Sequence, residues 1–298
     1  MNPESENEET ASEETADEAQ NSPLETEETA PVFQAVLDQN AGDEAETQMR
    51  QMSRRSFLWA LGAGVGTFAG YKWINTRRED GGIPWPLRRV LDGQGEIARD
   101  LFSTARLAPT FPVSMAKTPR ENGNYGLESE LDLSTWNLSV LGLHGDQPLQ
   151  LSLADIKKLP RTEIVTELKC IEGWSVIVHW AGVKMSDFMR KYPPATQSGQ
   201  APNLDKNPRD LLPYVGAQTP DGAYFVGLDM ESVLHPQTLL CFEMNGKPLT
   251  LAHGAPLRLV IPTKYGIKHL KRLGTLEFTA QKPEDFWAQR GYDWYSGH

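Results

Sequence analysis

Residues 167–180 read ELKCIEGWSVIVHW, two strand-like patterns meeting at a break that contains Cys170, one of only two cysteines in the chain. Upstream, TEIVTELKC alternates, so that Ile164, Thr166, Leu168 and Cys170 share one face while Glu163, Glu167 and Lys169 share the other. Downstream, Trp174, Val176, Val178 and Trp180 form one face, and Ser175, Ile177 and His179 the opposite one. The parity points Cys170 inward. Continued alternation would also carry Glu172 inward, where a carboxylate needs a partner or a task, and Gly173 permits an unusual turn or the close approach of a large group. Four readings stay open for Cys170: a buried core thiol, a disulfide with Cys241 in an oxidising compartment, a nucleophile with His179 as its base, or a metal ligand. His144, His235 and His298 show no metal-ligand spacing.

The surrounding patterns set the fold class. STWNLSVLGL and PLQL read as a strand pair, and SLADIKKLP as a short helix opened by Ser152 with Asp155 three residues on and stopped by Pro160. PYVGAQT and AYFVGL flank a Pro-Asp-Gly turn, DMESVLH is a second short helix, and TLLCFEMNGKPLTL carries the Asn245-Gly246 hairpin signal. LRLVIP and GTLEFTA complete the strands. Runs of strand broken by isolated short helices predict an α+β domain with mixed β-sheets over residues 112–298. Residues 75–111 read as a connector, helix-like only around LDGQGEIARDLF.

The charge is unevenly placed. The 298-residue chain has a net charge of −11, yet residues 1–50 hold fifteen acids against Arg50 alone, which leaves the remainder at +3. That acidic segment is nearly without large apolar residues before Val32 and predicts a disordered tail. Residues 51–74 contain SRRSFLWALGAGVGTFAGYKWI, similar to a twin-arginine export signal at Arg54 and Arg55. Residues 56–74 are also just long enough to anchor the chain in a membrane. Both readings place the domain in the periplasm or elsewhere outside the cytoplasm, and the twin-arginine machinery exports folded proteins, commonly those loaded with a cofactor.

Several motifs at compatible spacing over most of residues 112–281 resemble the sulfite-oxidase-type molybdopterin-binding family, and within it the branch of bacterial periplasmic methionine sulfoxide reductase catalytic subunits. CIEGWSVIVHW resembles that branch's cysteine segment. ENGNYG at 121–126 resembles its early pterin loop, YVGAQT at 214–219 a cofactor-contacting strand, and NGKPLTLAHGAPLRLVIPTKYGIKHLK at 245–271 is the most specific match. The resemblance implies molybdenum with molybdopterin as cofactor and Cys170 as the protein sulfur on the metal, a thiolate favoured by nearby positive charge. It further implies Asn122, Tyr125, Gly126 and Thr219 as pterin contacts, Arg258 as the forked donor to the cofactor phosphate, and His269, Leu270 and Lys271 as the rest of that pocket. His253 stands where the reductase branch has Asn. From Arg258 to Arg272 there are five Lys and Arg and no acid, as a buried phosphate requires; the rival reading is a basic face for nucleic acid or anionic lipid, of which export argues against nucleic acid and leaves lipid headgroups open.

The expected chemistry follows from the same segment. Sulfite-oxidising members hold their anionic substrate with an arginine soon after the cysteine, whereas here no cation follows Cys170 before Lys184. Glu172 would repel sulfite and could supply a proton for removing oxygen from a neutral S-oxide or N-oxide, small or protein-bound. With no haem or iron–sulfur cysteine set in the sequence, a membrane haem-type subunit is the expected electron source. Sulfite-oxidase-like oxidation, or a pterin-fold binding module without catalysis, are the alternatives. The further C-terminal dimerisation domain of the sulfite-oxidising members is not expected, since the chain ends soon after FWAQRGYDWYSGH.

Overall fold

The computed structural model describes residues 30–121 and 123–298, in two compact units, Met1–Ala69 and Gly70–His298. The first contains most of a long helix, α1 (Ala30–Asn75). The acidic segment was expected to lack structure, but residues 30–50 are helical; Ala, Glu, Gln and Met are good helix formers and propagate a helix without packing. Residues 1–29 lie outside the described part. No helix among the described residues is long and apolar enough to cross a membrane. The anchor reading of residues 56–74 therefore gains no support, because Gly62, Gly64, Gly66 and Gly70 dilute the apolar run.

The second unit begins with a two-residue hairpin, β1 (Glu79–Asp80) and β2 (Ile83–Pro84), and α2 (Trp85–Asp100), which Pro86 opens from inside its first turn. The segment read as a connector is thus part of this unit. Two five-stranded sheets follow. The first is antiparallel, with β10 (Lys247–Pro248), β9 (Leu239–Met244), β6 (Ser175–Lys184) and β5 (Arg161–Lys169) in that order, and β11 (Arg258–Val260) also on β9. The second runs β4 (Leu149–Leu151), β3 (Leu138–Leu141), β12 (Thr275–Thr279), β7 (Tyr214–Gln218), β8 (Phe225–Asp229). It is mixed, since β3 and β12 are parallel.

Short helices α3 (Leu153–Lys157), α4 (Met185–Lys191) and α5 (Met230–Val233) join the strands. The α3 start is a complete capping box: Ser152 Oγ accepts from Asp155 N, and Asp155 receives the Ser152 amide. Strand periodicity divides the core in two. Leu240 and Phe242 of β9 join Val140, Val215, Leu259 and Leu276 in the main core, while Leu239 and Cys241 face Leu168, Val178, Trp180 and Val260 in a smaller one. The first sheet is therefore buried on both faces at its centre, which explains the near-continuous apolar run LLCF. The α+β expectation holds.

Candidate active site

At the free end of the β5–β6 hairpin the ladder closes on Lys169 and Ser175, and the chain turns rather than alternating further. Cys170 N donates to Trp174 O at 2.9 Å and Gly173 N to Cys170 O at 3.1 Å. Gly173 takes a φ of +85°, the left-handed conformation that glycine adopts at least cost. The turn leaves Cys170 half-buried and Glu172 exposed, which corrects the expectation that Glu172 points inward. Its Oε2 accepts from the Trp174 indole at 2.8 Å. Both line a cleft with Cys170, Arg120, Tyr125, Tyr224, His253, Arg258, His269 and Lys271.

The other readings of Cys170 do not fit this arrangement. Cys170 and Cys241 are both thiols; Cys241 is fully buried on β9, and burial pushes its thiol up to about 12. His179 pairs in register with Val165, five residues before Cys170, or ~17 Å along the strand at roughly 3.4 Å per residue. Its Nε2 lies 2.9 Å from Glu163 Oε2, so it is no base for Cys170.

A buried cation group forms another part of the cleft. Arg258 opens β11, where its side chain is 3% exposed. Its two terminal nitrogens donate to His253 O and His269 O at 3.1 and 3.2 Å, its Nε has no partner, and its guanidinium lies over the Trp180 ring. Burial without a carboxylate pulls its pKa down to about 10. Burial, followed by the charge of Arg258, lowers Lys271 to about 8 and His269 to about 3. His253 is lowered by burial, then by Lys271 and Arg258, with Glu121 opposing from 4.0 Å. His253 Nδ1 and His269 Nδ1 are buried and without partners as well.

Not all of the basic run belongs to this group. Lys264 pairs with Asp229 at 3.1 Å, Lys268 with Asp285 at 2.5 Å, and Arg272 donates to Ser129 O. The five cations therefore do not serve one phosphate, as the run suggested.

Among the other expected contacts, Tyr125 is half-exposed in the cleft. Gly126 and Thr219 sit behind it, packed so closely that a Cβ on Gly126 would fall 2.4 Å from Thr219 Cγ2. Thr219 Oγ1 donates to Asp221 and accepts from Tyr224 N, bracing the β7–β8 turn. Leu270 is in the main core. Asn122 lies outside the described residues, although its neighbour Gly123 lines the cleft.

The structure adds residues that the sequence reading missed. Tyr224 Oη donates to Ile267 O at 2.6 Å. Burial, then the charge of Asp285, and less so that of Cys170, push its phenol above the ordinary range. Gly266 abuts the Cys170 backbone, with space for a Cβ only 3.3 Å from Lys169 O. Arg120 lies 5.8 Å from the Trp174 ring centroid, and Trp287 and Tyr292 come from the C-terminal segment.

A family profile, the oxidoreductase molybdopterin-binding domain, matches residues 125–287, just over half of the chain. A protein-methionine-sulfoxide reductase subunit of Azospira oryzae, provisionally so named and called YedZ1, is 34% identical over 66% of this chain and 70% of its own length. The protein-methionine-sulfoxide reductase catalytic subunit MsrP of Xanthomonas campestris is 34% identical over 53% of this chain and 49% of its own. An uncharacterised oxidoreductase of Bacillus subtilis, YuiH, is 34% identical over 54% and 74% respectively. The chain thus spans about half the length of the MsrP subunits it matches.

The residues present fit a molybdopterin. Its phosphate would give the orphaned Arg258 Nε an anion to bind, and would offset the desolvation that lowers Arg258 and Lys271. Cys170 places a soft ligand in the same cleft.

Proposed function

The chain belongs to the molybdopterin-binding oxidoreductase family, and from that premise we propose that it removes oxygen from a neutral S-oxide or N-oxide. The single observation that carries the site is Arg258, a buried guanidinium without a carboxylate, opening onto the cleft that Cys170 enters. The overall change takes an S-oxide, two electrons and two protons to a thioether and water. When bound, the molybdenum-pterin supplies the two-electron couple. Cys170 would ligate it, and Arg258, Lys271, His253 and His269 would hold its phosphate. Glu172 stands at the cleft rim as the group to relay protons, and the Trp174 indole fixes the direction of its carboxyl. Tyr125, Tyr224 and Trp287 keep water from the apolar side.

Among the described residues no group of three or more His, Cys, Asp or Glu converges to hold another metal. The names of the relatives as subunits support a separate electron donor. We take that donor to be a haem-type membrane subunit, and the chain to be exported by the twin-arginine route to the periplasm on the strength of Arg54 and Arg55.

Sulfite oxidation is the second reading, and Arg120 is the observation that favours it, since it brings a cation to the cleft from outside the cysteine segment. Steady-state turnover with reduced dye and sulfoxides, against turnover with sulfite and an oxidised acceptor, separates the two. Oxide reduction that Cys170→Ser abolishes and Glu172→Gln slows by about 10²–10⁴ supports the reductase. Sulfite turnover that Arg120→Gln abolishes contradicts it.

A further inference from the structure

One wall of the cleft is built by a segment that nothing in the cysteine hairpin or the cation group positions. Trp287 and Tyr292 stack edge to face at 5.1 Å between centroids, and Tyr125 meets Trp287 at 6.3 Å. Two buried charges clamp this segment. On one side Asp285 accepts from Trp287 N and Ala288 N at 3.1 and 3.0 Å, while its other oxygen accepts from Lys268 and Gly227 N. On the other side Arg88, buried at the start of α2, donates to Tyr292 O and Ala288 O at 2.8 and 2.5 Å and to Gly81 O and Asp80 O at 2.8 and 3.3 Å. A guanidinium spent entirely on four backbone carbonyls, in a protein where carboxylates are plentiful, fixes the path of the chain rather than neutralising a charge.

The wall these clamps hold is aromatic: Trp287 contacts both Tyr125 and Tyr292, and Tyr224 joins them through Phe286, in a cleft that Cys170 and the cations also line. Large apolar groups gain most from packing on such a surface.

We infer that Trp287 and Tyr292, positioned by Arg88, form the substrate-facing wall of the cleft and select S-oxides that carry a bulky apolar substituent over small ones. This rests on the reductase reading. The residues that bring the segment before α2 against the C-terminal wall make residues 80–88 part of the site, although they lie more than eighty residues before Cys170 in sequence.

The test compares the holoenzyme with Trp287→Ala, Arg88→Met and Arg88→Lys, using dimethyl sulfoxide and methyl p-tolyl sulfoxide with a reduced viologen donor. Trp287→Ala is expected to lower kcat/KM for the tolyl substrate by about tenfold or more and for dimethyl sulfoxide by about twofold or less. Arg88→Met should shift the same ratio in the same direction, and Arg88→Lys, which keeps the charge on a single nitrogen, should recover part of it. Equal losses on both substrates, or none, overturn the inference. Two readouts need no turnover: calorimetric binding of methyl p-tolyl sulfoxide, expected to weaken by about tenfold in Trp287→Ala, and amide exchange over residues 286–292, expected to quicken in Arg88→Met. A wild type that binds the tolyl sulfoxide through Trp287 but reduces neither oxide refutes the reductase reading alone. Unchanged binding in Trp287→Ala refutes the wall.

Discussion

Lys264 and Lys268, on one side, and Arg258, on the other, come from the same fifteen-residue run and are all almost fully buried, yet the protein treats them in opposite ways. Each lysine meets a buried carboxylate, Asp229 or Asp285, and the resulting pairs tie the run to β8 and to the C-terminal segment. Arg258 meets only carbonyl oxygens and keeps one nitrogen without a partner. A buried cation with its own carboxylate is part of the fold. Arg258 has none and opens onto the cleft, so it stands where an anion can meet it.

Breaking a lysine pair should have the largest effect on folding. Lys268→Met leaves the Asp285 carboxyl buried without its cation, and is expected to destabilise the apoprotein by about 3–5 kcal/mol in denaturant unfolding; the double change with Asp285→Asn should recover much of it. A loss of under ~1 kcal/mol in the single variant would erase the distinction drawn above.

A second effect follows from pH. Lys271 is lowered to about 8, chiefly by burial, and an anion binds its protonated form. Affinity of the apoprotein for sulfate, whose charge is constant over this range, is expected to hold just below pH 8 and to fall as pH rises through 8, by up to about tenfold per unit, in calorimetric titrations. For folding the sign is opposite. A lysine lowered in the folded state disfavours folding while it is protonated, so this contribution to apoprotein stability should improve between about pH 8 and the ordinary lysine range near pH 10.5.

The smallest effect sharpens the contrast. Arg258→Met removes a buried charge that has no carboxylate partner, and should change apoprotein stability by about 1 kcal/mol or less in either direction, whereas the same substitution at Lys268 is severe.

Much of the site was legible because it is local. The Cys170 hairpin is written in two alternating strands and a glycine, and the Asn245-Gly246 turn, with φ of +52° and +74°, in its dipeptide. What failed was continuation: alternation could not show that the chain turns at Cys170 and leaves Glu172 at the rim. The aromatic wall and Arg120 were not legible, since Tyr224, Trp287 and Tyr292 converge only through packing between segments far apart in sequence. The division of the basic run was hidden for the same reason. Asp229 precedes Lys264, and Asp285 follows Lys268, at distances that no local pattern marks, and Arg88 reaches Tyr292 across most of the chain. A helix over residues 30–50 was missed because low apolar content was read as disorder while helix propensity was set aside.

The most direct test of the account is the molybdenum and pterin content of protein purified from a host that makes the cofactor, for wild type, Arg258→Met and Cys170→Ser side by side. The account predicts near-stoichiometric metal and pterin in the wild type and loss of both in a folded Arg258→Met. For Cys170→Ser it predicts retained pterin with the metal lost or spectroscopically altered. Pterin retained at wild-type level in Arg258→Met would contradict it, because the buried guanidinium would then not be what holds the cofactor.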